Sequence, residues 1–135
     1  MPIPASRVVT EVDHSRLSAL LERAAPCPPA TWAQLNEVLD FADLVPPEAV
    51  PEQVVTMRSS VVLLAHEDGR TLKVTLSYPH DTPPDGLSVL TPLGAALIGQ
   101  RVGEAVRWTG LDGVPRQAVL AAIPFQPEAA GQFHL

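Results

Sequence analysis

The chain has one cysteine, one lysine and six aromatic residues in 135, and it has no long hydrophobic run. A lone Cys27 forms neither an intramolecular disulfide nor a CxxC metal or redox motif. So few aromatic rings do not make the stacking platforms that bind single-stranded nucleic acid. No stretch of 18 apolar residues occurs, and the first ten residues lack a signal-length apolar run. We therefore expect a cytoplasmic protein without a membrane segment.

The charge balance is acidic, with nine basic and 15 acidic residues, a formal net charge of −6 and an isoelectric point near 5.0. Such a chain repels phosphate backbones, so we expect no direct binding of nucleic acid. Residues 1–52 hold three arginines and eight acids, a net charge of −5, whereas residues 53–135 hold six cations and seven acids. The acidic part is either a solvated helix face or a surface that enters a positively charged cleft of a partner.

Motifs for metal, cofactor or covalent chemistry are missing from the sequence. The four histidines, His14, His66, His80 and His134, share no ligand spacing, so we predict no metal site. No GxxxxGK(S/T) or GxGxxG motif occurs, and no cation or histidine next to Cys27 activates its thiol. We expect no cofactor and no enzymatic activity.

Proline makes up 15 of the 135 residues and divides the chain. Asp13 is expected to cap a first helix, whose apolar stripe is Leu17, Leu20, Leu21 and Ala24. A proline-rich tip ends this helix and consists of Pro26, Cys27, Pro28 and Pro29. A second helix is predicted from near Ala30 to before Pro46, with Trp32 in the core. Residues 1–50 are thus predicted to form an antiparallel α-hairpin, and residues 51–135 a second domain.

Alternating apolar residues and Asp-Gly turns follow the second helix. They predict strands at residues 60–65, 71–77, 87–90, 105–109 and 117–123, with a short helix at residues 92–98. The predicted fold class is α+β, with a mainly antiparallel sheet carrying one helix behind the hairpin.

The most specific segment, residues 90–106, reads LTPLGAALIGQRVGEAV. It resembles the C-terminal signature of the Gre-type transcript-cleavage factors, with Thr91 in place of the usual Ser and Glu104 in place of the usual Asp. Residues 54–57 (VVTM) and 125–131 (FQPEAAG) make the chain similar to the branch of that family that regulates nucleoside diphosphate kinase. The resemblance covers essentially the whole chain. It implies an FKBP-like C-terminal domain and an N-terminal coiled coil.

The resemblance also implies a partner, RNA polymerase, with the C-terminal domain docked at the rim of its secondary channel. The expected contact is the exposed corner Leu90-Thr91-Pro92 together with the adjoining Leu93 and Gly94. Some Gre factors have Asp or Asn where this chain has Leu90, so the corner is expected to make an apolar contact defined by its shape.

Gre factors carry acids at the hairpin tip, where these help to hold a second Mg²⁺ in the polymerase active centre. The corresponding residues 24–31 read AAPCPPAT and contain no acid; the nearest are Glu22 and Glu37. We therefore expect a monomeric regulator that binds polymerase, competes with Gre factors and does not stimulate transcript cleavage. The alternatives are a cleavage factor of the Gre type and, from fold alone, a peptidyl-prolyl isomerase whose pocket would draw on Tyr78, Trp108, Phe125 and Phe133.

Overall fold

Three helices and seven strands form the protein in a computed structural model that describes residues 7–23, 28–65, 68–110 and 112–132. The helices are α1 (Glu11–Glu22), α2 (Pro29–Phe41) and α3 (Pro92–Leu97). The strands are β1 (Val8–Thr10), β2 (Asp43–Val45), β3 (Ser60–Ala65), β4 (Thr71–Ser77), β5 (Gly86–Ser88), β6 (Ala105–Thr109) and β7 (Pro115–Phe125). Short 3₁₀ turns lie at Pro47–Ala49 and Glu128–Ala130.

The first helix does not begin where the sequence predicted. Thr10 is the N-cap of α1, because its hydroxyl accepts the Asp13 N–H at 3.0 Å. The expectation that Asp13 caps the helix is therefore wrong. Its carboxylate bonds to a distant part of the chain instead, as described below.

The second helix begins within one residue of the predicted position. Pro29 occupies its first turn, where the missing N–H has no intrahelical partner to lose. The helix ends at Phe41 because Ala42 is extended and leads directly into β2, several residues before the prolines. His14 Nε2 of α1 lies 2.9 Å from the Leu39 carbonyl oxygen of α2, so the two helices lie side by side.

Trp32 is 42% exposed, so its predicted place in the core is wrong. The buried positions of α2 are Thr31, Leu35, Val38 and Leu39. They follow the i, i+4, i+7, i+8 spacing of one helix face, and Trp32 lies about 100° around the helix from Thr31.

A five-stranded sheet in the order β5-β4-β3-β7-β6 is antiparallel except for the β4–β5 pair. Three predicted strands have the observed bounds, residues 60–65, 71–77 and 105–109. The fifth predicted strand lies within β7, while the third is shorter than predicted because the chain turns after Ser88. A second, two-stranded parallel sheet pairs β1 with β2 and was not predicted.

One cluster of buried apolar side chains joins the helices to the sheet. It includes Leu17 of α1, Leu35 of α2, Leu97 of α3, Leu63 of β3 and Leu120 of β7, none more than 1% exposed. The apolar faces of the helices therefore cover one face of the sheet. Within the described ranges, no helix has both the length and the apolar character needed to cross a membrane.

Candidate docking surface

The corner predicted to bind polymerase links β5 to α3 and is held by Thr91. The Thr91 hydroxyl donates to the Ser88 carbonyl oxygen at 2.6 Å and accepts the Gly94 N–H at 3.1 Å. The Thr91 N–H donates to the same Ser88 oxygen at 3.2 Å. Thr91 is therefore the N-cap of α3, and Pro92 occupies the first helical turn. These bonds fix the direction in which the chain leaves the strand.

Gly94 is required by close packing against the strand end. A Cβ atom on this residue would lie 2.2 Å from the Ser88 carbonyl oxygen and 2.8 Å from Val89 Cα. Real side chains do not approach backbone that closely, so α3 sits on β5 only because residue 94 has no side chain. The corner is consequently a rigid turn with a defined shape.

Most of the predicted contact residues are not exposed, and this expectation is corrected by the structure. Leu90 is 6% exposed, Leu93 is 9% exposed, and Gly94 is also buried. The tight turn at Ser88 directs both leucines into the core, where they join the main cluster. Thr91 and Pro92 are half-buried and are the part of the corner that a partner can contact.

Arg7 binds the C-terminal end of α3, a contact that the sequence pattern does not predict. Its Nη1 donates to the carbonyl oxygens of Ala95 at 2.9 Å and Ile98 at 3.2 Å. A cation at the C-terminal end of a helix satisfies free carbonyls and interacts favourably with the helix dipole. Burial lowers the pKa of Arg7 from its ordinary value. Arg7 thus helps to position α3.

Asp13 connects the helical hairpin to the sheet. Its carboxylate accepts the Met57 N–H at 3.1 Å and the Tyr78 hydroxyl at 3.5 Å, and the residue is 4% exposed. Burial, and to a lesser extent the charge of Glu128, raises the pKa of Asp13 to about 6. Desolvation likewise raises the pKa of Tyr78. The Met57 N–H that binds Asp13 of α1 therefore belongs to residues 54–57, one of the segments that carry the family resemblance.

The tip of the hairpin is described only in part. Pro26 and Cys27 lie outside the described residues, whereas Pro28 is the exposed residue that precedes α2 and Pro29 is its first residue. Glu22, the last residue of α1, and Glu37 of α2 are exposed. The sequence from 24 to 31 contains no carboxylate.

The described residues form neither a metal site nor an isomerase-like pocket. No group of three or more histidine, cysteine or acidic side chains in the described ranges has the geometry to hold a metal ion. Tyr78 follows β4 and Trp108 lies in β6, and two strands separate β4 from β6 in the sheet. These two rings therefore do not line one isomerase-like pocket.

Comparison with known proteins identifies the class of this fold. Residues 50–123 match the family described as transcription elongation factor, GreA/GreB, C-term. A solved structure, a prokaryotic transcription elongation factor GreA/GreB from Nitrosomonas europaea, superimposes with a TM-score of 0.74 and 28% identity, over 89% of this chain and 100% of that one. The chain belongs to the GreA/GreB family.

Within that family, the chain is similar to proteins named regulator of nucleoside diphosphate kinase. Those of Escherichia coli strain K12 and Shigella flexneri are each 37% identical over 130 residues, which are 95% of this chain and 96% of theirs. The predicted relationship to this branch is confirmed.

Proposed function

We propose that this protein is a non-catalytic transcription regulator that binds RNA polymerase at the rim of the secondary channel. It occupies the site of a Gre factor without stimulating transcript cleavage. Membership of the GreA/GreB family and similarity over nearly the whole chain to proteins named regulators support this proposal.

The absence of acids from the hairpin tip is the main reason to expect that this protein does not stimulate cleavage. A hard cation such as Mg²⁺ is held by carboxylate oxygens, and residues 24–31 supply none. The helices that lead to the tip have 12 and 13 residues, or about 18 and 20 Å at 1.5 Å per residue. Glu22 and Glu37 belong to these stems. The hairpin tip therefore lacks the carboxylate ligands on which the Gre mechanism depends.

The docking contact is assigned to the rigid corner before α3. Of its five residues, Thr91 and Pro92 reach the surface, and Leu90, Leu93 and Gly94 support them from within. Because internal hydrogen bonds already fix the turn, binding requires little ordering of this corner, which favours affinity.

The test is competition in a Gre-stimulated cleavage reaction on a backtracked elongation complex. Added protein should lower the cleavage rate in proportion to site occupancy. Pro92→Asp should abolish this inhibition because it places a charge on the contact surface, while an acid still suits the first turn of a helix. Arg116→Gln on β7 is the control, since the ion pair of Arg116, at 2.9 Å, is with Asp112 and not with the corner.

The alternatives give different results in the same assay. Cleavage stimulated by this protein alone would identify a cleavage factor. Unchanged Gre-stimulated cleavage at saturating protein would show that the two proteins occupy different surfaces, and the proposal would then be wrong.

A further inference from the structure

A cavity of about 350 Å³ lies between α1 and the end of β4, and none of its lining residues belongs to the corner at residues 90–94. Its polar lining consists of Arg16, Arg23, Arg58, Tyr78 and His80. This volume is near the lower end of the range for small-molecule sites. Nothing in the proposed polymerase contact uses these residues.

The cavity concentrates positive charge in an acidic protein. It holds three of the nine cations in a chain of net charge −6. Arg16 and Arg23 are two of the three arginines in residues 1–52, where eight acids would otherwise dominate. Arg16 lies on α1 and Arg23 is its C-cap, seven residues further on, so the two side chains leave the helix on the same face. Such a local concentration of guanidinium groups attracts a compact anion.

Arg58 reaches the cavity from an unusual backbone conformation. Its φ of 68° lies in the left-handed region, which is unfavourable for a residue with a side chain. The Arg58 N–H donates to the Leu76 carbonyl oxygen at 2.7 Å, and its guanidinium lies 5.4 Å from the centre of the Tyr78 ring. The Asp81 carboxylate accepts from the Arg58 Nε at 3.1 Å and from its Nη2 at 2.7 Å. The strained turn therefore fixes a cation at the cavity wall.

An aromatic surface adjoins these cations. The rings of Tyr78 and His80 stack with centroids 5.7 Å apart and an angle of 21° between their planes. Tyr78 is 3% exposed, whereas His80 is exposed and offers its outer side to a ligand. Phosphate-binding guanidinium groups beside an accessible flat ring are the two features that a nucleotide requires.

We propose that this cavity binds a free nucleotide, with its phosphates on Arg16, Arg23 and Arg58 and its base against His80. A small ligand fits better than a nucleic-acid chain, because the chain's net charge of −6 repels an extended phosphate backbone outside this one cavity. The inference is independent of polymerase binding.

Binding is tested on the full chain by calorimetric titration with GDP and with inorganic pyrophosphate. Both should bind. Arg23→Gln should weaken binding of both at least tenfold, because it removes one charged phosphate contact. Arg23 is the variant of choice because its side chain is exposed at the end of α1. Arg70→Gln is the matched control: Arg70 is also exposed, contacts Asp68 and lies outside the cavity, so its loss should change affinity less than twofold.

A second variant separates the base from the phosphates. His80→Ala should weaken GDP binding severalfold and leave pyrophosphate binding unchanged. Absence of GDP binding, or equal losses from Arg23→Gln and Arg70→Gln, would overturn the proposal. So would a 12-nucleotide RNA that binds far more tightly than GDP, since the surface would then be a groove for a polyanion. Thermal unfolding of each variant checks that it remains folded.

Discussion

At the scale of single residues, buried polar side chains define how the parts of this protein meet. Asp13 was interpreted from the sequence as a helix cap, yet its carboxylate contacts Met57 and Tyr78, which lie 44 and 65 residues further along the chain. Local pattern cannot reveal partners at that separation. The prediction that Asp13 lies at the start of α1 was correct, but the predicted role of its side chain as the helix cap was wrong.

The raised pKa of Asp13 predicts a specific dependence of stability on pH. Because the folded-state pKa is about 6 and the ordinary value is 3.8, the folded protein binds more protons between these limits than the unfolded chain. The contribution of Asp13 to stability is therefore largest below about pH 4 and falls as the pH rises through 6. Arg16 opposes the shift and Glu128 reinforces it.

Asp13→Asn should remove this dependence, since an amide stays neutral and its oxygen still accepts the Met57 N–H. Relative to the unsubstituted protein, the variant should gain stability between pH 4 and pH 7, by about 3 kcal/mol for a shift of roughly two pKa units. Urea unfolding at several pH values measures the difference. Asp40→Asn, on an exposed position of α2, is the control. Parallel pH profiles for the Asp13→Asn variant and the unsubstituted protein would show that burial does not perturb this carboxyl group.

At the scale of secondary-structure elements, the junction between β5 and α3 depends on the absence of one side chain. Gly94→Ala should destabilise the protein by about 2 kcal/mol or more, because the new Cβ would overlap a carbonyl oxygen that Thr91 holds in place. That cost outweighs the better helix propensity of alanine, which is about 1 kcal/mol. Chemical denaturation provides the measurement.

Gly113→Ala is the matched control for this prediction. Gly113 has a φ of 78°, but a Cβ there would have no atom within 4 Å. Only backbone strain of about 1 kcal/mol is expected. A loss from Gly94→Ala no greater than that from Gly113→Ala would mean that α3 can move away from the strand.

The elements differ in how well the sequence predicted them, for physical reasons. Strands β3, β4 and β6 were placed correctly because apolar alternation and Asp-Gly turns mark their ends. Strands β1 and β2 have three residues each and pair across 35 positions, Val8 with Asp43, so they carry no periodic signal. The predicted exposure of Leu90 was wrong because the chain turns after Ser88 and buries this side chain. Hydrogen bonds to Ser88 define that turn, and a sequence motif does not specify them.

At the scale of the whole molecule, the hairpin and the sheet share one core, and the side chains of Asp13 and Arg7 add polar links. Asp13 receives the Met57 N–H, and Arg7 binds the carbonyl oxygens that end α3. The helix that follows the corner is thus held at one end by Thr91 and at the other by Arg7. A change at the root of the hairpin should consequently be transmitted to the corner.

Arg7→Gln tests this link. The variant should lose about 1.5–3 kcal/mol of stability, the usual value of hydrogen bonds from a charged group. Its inhibition of Gre-stimulated cleavage should also weaken, although Arg7 contacts α3 from the side opposite Thr91 along the helix. Arg101→Gln, on an exposed position after α3, serves as the control. If Arg7→Gln destabilises the protein but inhibits as fully as the unsubstituted chain, the N-terminal segment does not position the corner.

The distribution of charge predicts how polymerase binding depends on salt. In the proposed complex, residues 1–52, whose net charge is −5, face a positively charged cleft and add a screened attraction to the contact at Thr91 and Pro92. Affinity should fall as salt rises and then level off, because the contact at the corner is not screened. Glu37→Gln together with Asp40→Asn, both exposed on α2, should flatten the salt dependence, whereas Pro92→Asp should reduce affinity at every salt concentration. Binding that disappears entirely by about 0.3 M salt, where the Debye length is already below 8 Å, would mean that charge alone holds the complex.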